Sequence, residues 1–102
     1  MGKFVSVATV SEIAPGGAKQ VEVEGHTLAI YNVGGTFYAI DNTCTHVGGP
    51  LAEGTVEGEE VECPWHGARF DVKTGKVVSP PAGSDVQSYP VRVNGSNVEV
   101  EI

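Results

Sequence analysis

The chain has 102 residues and a mass of 10.6 kDa, which is enough for one small domain with a single modest core and no second catalytic module. Hydrophobic residues make up 40% and charged residues 19%, a balance that excludes wholesale disorder. Thirteen acidic against six basic residues leave a net charge of −7, so phosphate backbones and anionic membrane surfaces repel the chain, and a partner that docks by charge should be basic. Valine occurs 17 times, leucine 2 and glycine 14, a composition suited to short strands and tight turns; an all-β fold is expected.

Alternation of apolar and polar residues sets the expected strands in chain order. Phe4, Val5 and Val7 open the first, and Ile13-Ala14-Pro15-Gly16-Gly17 breaks it. Val21 and Val23 alternate with Gln20, Glu22 and Glu24, and Gly25-His26 reads as a turn. The fuller apolar run Leu28-Ala29-Ile30-Tyr31-Asn32-Val33 turns at Gly34-Gly35 and returns through Phe37-Tyr38-Ala39-Ile40. At the other end Tyr89, Val91 and Val93 lead to Asn94-Gly95, a dipeptide suited to a type I′ turn, and Val98, Val100 and Ile102 come back. No window shows a useful helical period, a secretory leader or an apolar run of membrane-spanning length, so a cytoplasmic location is expected.

The segment from about Asp41 to Gly83 is different. It is rich in Gly and Pro, alternates little, and holds both cysteines and two of the three histidines. Cys44-Thr45-His46 and Cys63-Pro64-Trp65-His66 each pair one Cys with one His, with 16 residues between the two motifs. Three arrangements suit these residues. A Cys44–Cys63 disulfide is disfavoured in a reducing compartment and leaves the histidines unexplained. Structural zinc accepts two Cys and two His, although such sites usually pair Cys with Cys and His with His. A two-iron, two-sulfide centre in which one iron takes two thiolates and the other two imidazoles needs a mixed Cys/His pair on each loop.

The segments Cys44-Thr45-His46-Val47-Gly48 and Cys63-Pro64-Trp65-His66-Gly67 resemble the two cluster-binding boxes of Rieske proteins, and Phe70-Asp71, Gly75 and Pro80-Pro81 fit the same pattern. The resemblance extends over the whole length of a small Rieske ferredoxin. It implies an antiparallel β-sandwich of short strands with an inserted cluster-binding loop subdomain, residues 41–83, in a single Rieske domain spanning 1–102. It also implies one 2Fe-2S cluster per chain, with Cys44 and Cys63 on the inner iron and His46 and His66 on the outer iron. Quinol-oxidising members carry an extra cysteine in each box, at positions that here are Gly49 and Trp65. They also place serine and tyrosine hydroxyls near the sulfurs, at positions that here are Ala68 and Phe70. Without those donors the reduced cluster is less stabilised, and a low potential is expected. After His46 and His66 only His26 remains, too few histidines for the mononuclear iron of an oxygenase.

A non-catalytic electron carrier is therefore expected, similar to the ferredoxin components of bacterial aromatic-ring-hydroxylating dioxygenase systems. The resemblance implies an NAD(P)H-dependent flavoprotein reductase as donor, a terminal oxygenase as acceptor, and a monomeric shuttle. Val47, Gly48, Gly49, Pro50, Trp65, Pro80 and Pro81 would form a flat docking rim around His46 and His66. The alternatives are a Rieske subunit of a nitrite-reductase-like or monooxygenase system, or a zinc-stabilised binding module. The run Glu53 to Glu62, with five glutamates, reads as a solvated hairpin face or a dock for a basic reductase. His26 reads as surface, and Arg69 as a partner for Asp71 or a nearby glutamate.

Overall fold

The computed structural model describes residues 3–43, 50–64, 67–79 and 85–102. Among these residues eleven strands run in the order β1 (Phe4–Thr9), β2 (Ala18–Val23), β3 (His26–Val33), β4 (Thr36–Asp41), β5 (Thr55–Glu57), β6 (Glu60–Glu62), β7 (Arg69–Asp71), β8 (Val77–Ser79), β9 (Ser88–Tyr89), β10 (Val91–Asn94) and β11 (Asn97–Glu101). Two 3₁₀ turns, Val10–Glu12 and Leu51–Glu53, are the only helical pieces among the described residues. All strand pairings are antiparallel, in sheets ordered β1-β11-β10, β2-β3-β4-β9 and β5-β6-β7-β8. The expected all-β antiparallel fold is what the chain adopts.

The middle of the β2-β3-β4-β9 sheet explains the fuller apolar run seen in the sequence. Successive residues of a strand point to opposite faces, and here both faces are covered. Leu28, Ile30 and Ala39 join Val98, Val100, Ile13 and Phe37 in one apolar cluster towards β1 and β11. Ala29, Tyr31 and Ile40 face the other way, into a second cluster with Leu51, Val61, Cys63, Ala68, Phe70, Val72 and Val86. Leu28, Ala29, Ile30 and Tyr31 are all fully buried, as a central layer requires.

Two turns sit one residue away from where the sequence suggests. Val23 pairs with His26, so the turn is Glu24-Gly25, both with positive φ (49° and 86°), and His26 is the first residue of β3 rather than part of the turn. Asn94 likewise pairs with Asn97, which leaves Gly95-Ser96 as the loop, with Gly95 at φ 65°. Tertiary register decides both cases. A one-residue slip would turn Val23, buried with Leu28, out of its cluster. In the second hairpin it would break the Val91–Val100 and Val93–Val98 pairs.

Candidate metal centre

Three segments interrupt the strands between β4 and β9, and each is closed at its base. The first is closed by an antiparallel bridge between Thr43 and Pro50 and by the Leu51 N–H, which donates to the Asn42 carbonyl at 2.6 Å. In the second, the Cys63 N–H donates to the Ala68 carbonyl at 2.7 Å, and the Gly67 N–H donates to the Cys63 carbonyl at 3.2 Å. In the third, the Val77 N–H donates to Asp85 Oδ1 and the Val86 N–H to the Gly75 carbonyl, both at 2.8 Å. Gly75 is indispensable there: at φ 78° it brings its backbone so close to the Val86 carbonyl that a Cβ would collide with it. Leu51, Cys63, Ala68 and Val86, one or two from each base, pack in the same apolar cluster, so the three segments stand on one core.

Of the four ligand candidates, the described residues include Cys63, which is 1% exposed. Cys44, His46 and His66 lie outside the described residues, as do Val47, Gly48, Gly49, Trp65, Pro80 and Pro81 of the expected docking rim. The surroundings of Cys63 fit an iron–sulfur ligand. The residue lies at the mouth of the β6–β7 hairpin, lined by Val61, Ala68 and Phe70, all fully buried, in an environment that would shield a soft thiolate–iron bond from water. Neither Ala68 nor Phe70 carries a hydroxyl. The nearby phenol of Tyr31 gives its proton to the Leu51 carbonyl at 2.7 Å. Burial, and after it the charge of Cys63, pushes the Tyr31 phenol well above its ordinary value, so it stays a neutral donor.

The outer face of the small sheet is ionic. Arg69 pairs with Glu57 and Glu62 at 3.0 Å and with Glu60 at 3.6 Å, spanning three strands, and its hydrogen bond to Glu57 raises its pKa further. Asp71, the other partner expected for Arg69, instead accepts from the backbone N–H of Lys73 at 2.7 Å and of Thr74 at 3.3 Å, holding the turn before β8. Of the Glu53–Glu62 run, Glu53 ends the 3₁₀ turn before β5 and residues 55–62 form the β5–β6 hairpin, with Glu57, Glu60 and Glu62 on this solvated side. His26 is exposed, its ring edge-on to Tyr89 with centroids 6.0 Å apart. Tyr31 and Asn42 are the residues at this centre that the sequence does not single out. A tyrosine in a fully apolar run is the available signal, since a buried phenol needs an acceptor.

The whole-chain comparisons agree with this fold. The model of the Rieske [2Fe-2S] domain matches residues 3–90. The ferredoxin component of the naphthalene 1,2-dioxygenase system of Pseudomonas aeruginosa is 40% identical over 100 residues, covering 98% of this chain and 96% of that protein. The ferredoxin of carbazole 1,9a-dioxygenase from Nocardioides aromaticivorans IC177 superposes with a TM-score of 0.92 at 36% identity, covering 96% of each chain. A complex of reduced oxygenase and oxidized ferredoxin in carbazole 1,9a-dioxygenase gives a TM-score of 0.91 at 38% identity, covering 96% of this chain and 92% of the matched one.

The family match over residues 3–90 and 40% identity over nearly the whole length together make the chain a member of the Rieske 2Fe-2S family. Its cofactor is a Rieske-type 2Fe-2S cluster, and its role is that of a ferredoxin, an electron carrier rather than a catalytic subunit. The reading of the chain as a zinc-stabilised binding module is thereby set aside. No helix among the described residues is long and apolar enough to cross a membrane.

Proposed function

We propose that this chain is the cytoplasmic, low-potential ferredoxin of an aromatic-ring dioxygenase system, reduced by an NAD(P)H-dependent flavoprotein reductase and oxidised by a terminal oxygenase. The observation that carries the reading is the match to a dioxygenase ferredoxin component across 98% of one chain and 96% of the other. A structural relative seen in complex with its oxygenase supports the choice of acceptor. Cys44 and Cys63 are assigned to the inner iron and His46 and His66 to the outer iron, with the cluster held in the segment 41–83. When bound, the cluster takes up one electron and gives it back. The chain supplies the rest: Cys63 anchors one side in the apolar core, and the turn closed between Cys63 and Ala68 contains His66 in its sequence. Ala68 and Phe70 offer the sulfurs no hydroxyl, which keeps the reduced form comparatively unstable and the electron easy to release. Small docking interfaces suit such a shuttle.

Two experiments test this. Alanine at Cys44, His46, Cys63 or His66 should each abolish the bound iron, and His66→Cys should retain iron but lower the potential, because a thiolate replaces a neutral ligand. Iron retained at full stoichiometry in any alanine variant would remove that residue from the ligand set. In a reconstituted assay with an NADH-dependent flavoprotein reductase and a naphthalene-type terminal oxygenase, the protein should restore product formation. Reduction by dithionite, without reduction by such reductases, would overturn the donor assignment.

A further inference from the structure

The two ends of the segment that carries Cys44 and His46 are fastened to the central sheet by two buried polar side chains, Asn42 and Tyr31. Asn42, 5% exposed, uses all four of its hydrogen-bonding groups. Its N–H donates to the Thr27 carbonyl at 3.0 Å and its carbonyl accepts from Leu51 N–H at 2.6 Å. Its Oδ1 accepts from the Ala52 N–H at 2.8 Å, and its Nδ2 donates to Gln20 Oε1 at 3.2 Å. Tyr31, fully buried, donates to the Leu51 carbonyl at 2.7 Å from the strand below. Asn42 thus stands two residues before Cys44 and grips the chain where it returns at Leu51 and Ala52, while Tyr31 holds Leu51 from the other side. Tyr31 is itself a member of the apolar cluster that contains Cys63.

We infer that Asn42 and Tyr31 are positioning residues for electron transfer: they fix the first ligand segment relative to Cys63, and so set the geometry of the cluster. The reason is that burial makes each bond hard to replace. Removing the Tyr31 hydroxyl leaves the buried Leu51 carbonyl without its partner, and removing the Asn42 amide leaves the part-buried Ala52 N–H without its own, whereas the exposed Gln20 turns to water. An iron–sulfur centre reports a shift of a ligand segment directly, because its potential and magnetic anisotropy depend on ligand orientation and on hydrogen bonding around the sulfurs.

The inference rests on the assignment of Cys44 and His46 as ligands, and the test separates the two. Asn32 supplies a matched control. It is also buried, at 4% exposure, and its Nδ2 donates to the Ile13 carbonyl at 2.8 Å while its Oδ1 accepts from Gly35 N–H at 2.8 Å. Those bonds hold the connection between β1 and β2 and the turn between β3 and β4, not a ligand segment. Asn42→Ala, Tyr31→Phe and Asn32→Ala are purified in their cluster-loaded form. Each is examined by electron paramagnetic resonance of the reduced state, by potentiometric titration, by thermal unfolding, and by the rate of iron release to a chelator.

All three should lower the unfolding temperature. Only Asn42→Ala and Tyr31→Phe should shift the g values and the potential and release iron roughly tenfold faster, the equivalent of one buried hydrogen bond. Unchanged spectra and potential in Asn42→Ala and Tyr31→Phe, with stability losses like that of Asn32→Ala, would overturn the inference and leave a structural role. Should Asn42→Ala fail to load, Tyr31→Phe, which keeps the ring and removes only the hydroxyl, decides the question. Absence of a Rieske signal in the wild-type protein would instead strike at the ligand assignment itself.

Discussion

In the β2-β3-β4-β9 sheet, β3 runs for eight residues and pairs along its length with β2 on one side and β4 on the other. In the β5-β6-β7-β8 sheet, with Cys63 just past the end of β6, no strand exceeds three residues. The first is held by cross-strand pairs and by apolar clusters on both its faces. The second covers one face of it with Val61, Ala68 and Phe70, and depends on particular contacts elsewhere: the Gly75–Val86 approach, the Asp71 turn, and the Arg69 carboxylate group. The difference divides labour. Damage to the framework face turned away from Cys63, where Leu28, Ile30 and Val98 pack, should cost stability and keep the cofactor chemistry, whereas damage to the small sheet or to Tyr31 beneath it should alter the metal centre first.

The largest expected contrast follows from deleting a buried side chain in each region. Ile30→Ala removes a fully buried framework side chain and should cost about 2–5 kcal/mol in chemical denaturation, while the folded fraction keeps its full iron. Cys63→Ala should leave the framework spectrum by far-ultraviolet circular dichroism but bring iron and sulfide to background. Two glycines sharpen the same contrast. Gly25 and Gly75 both have positive φ, but a Cβ at Gly25 meets nothing within 4 Å, whereas at Gly75 it strikes the Val86 backbone. Gly25→Ala should therefore cost only the left-handed strain, about 1–2 kcal/mol, and Gly75→Ala distinctly more, with faster iron loss.

Smaller effects probe the sulfurs and the framework's edge. Ala68→Ser should raise the reduction potential by tens of millivolts where its hydroxyl reaches a sulfur, since a hydrogen bond to a charged acceptor contributes roughly 1.5–3 kcal/mol. An unmoved potential would show that position 68 does not face the cluster. In the framework, burial and then the 2.7 Å bond to Asp41 push the Tyr89 phenol up to about 12 from 10.0. The folded chain thus keeps a proton that the unfolded chain releases. The associated stability is fully present below pH 10 and falls as pH rises from there through 12. Denaturation midpoints across that window should decline less in Tyr89→Phe than in the wild type.

The same contrast explains which features are legible in the amino-acid sequence. The framework strands announce themselves through Val21/Val23, Leu28–Val33, Phe37–Ile40 and Val98/Val100, because long pairing with a buried face imposes a two-residue period. The turns at Glu24-Gly25 and Gly95-Ser96 lie one residue from their expected places, since cross-strand packing rather than the local dipeptide decides register. Strands β5 to β8 are too short to show a period at all, so this part of the chain reads as loop. Its chemistry is legible for the opposite reason: the two Cys/His motifs are dense and specific, and metal binding constrains residue type more tightly than folding does. Asn42 and Tyr31 stay hidden because their partners are mostly backbone groups 10 and 20 residues away in sequence. Arg69 shows its charge but not which carboxylates it meets.

The central claim is a Rieske cluster tuned for easy electron release, and a potentiometric titration of the purified protein followed by electron paramagnetic resonance tests it most directly. A Rieske-type signal with its midpoint near about −150 mV is the expected result. A midpoint near about +300 mV would contradict the account of Ala68 and Phe70 and place the protein with quinol chemistry.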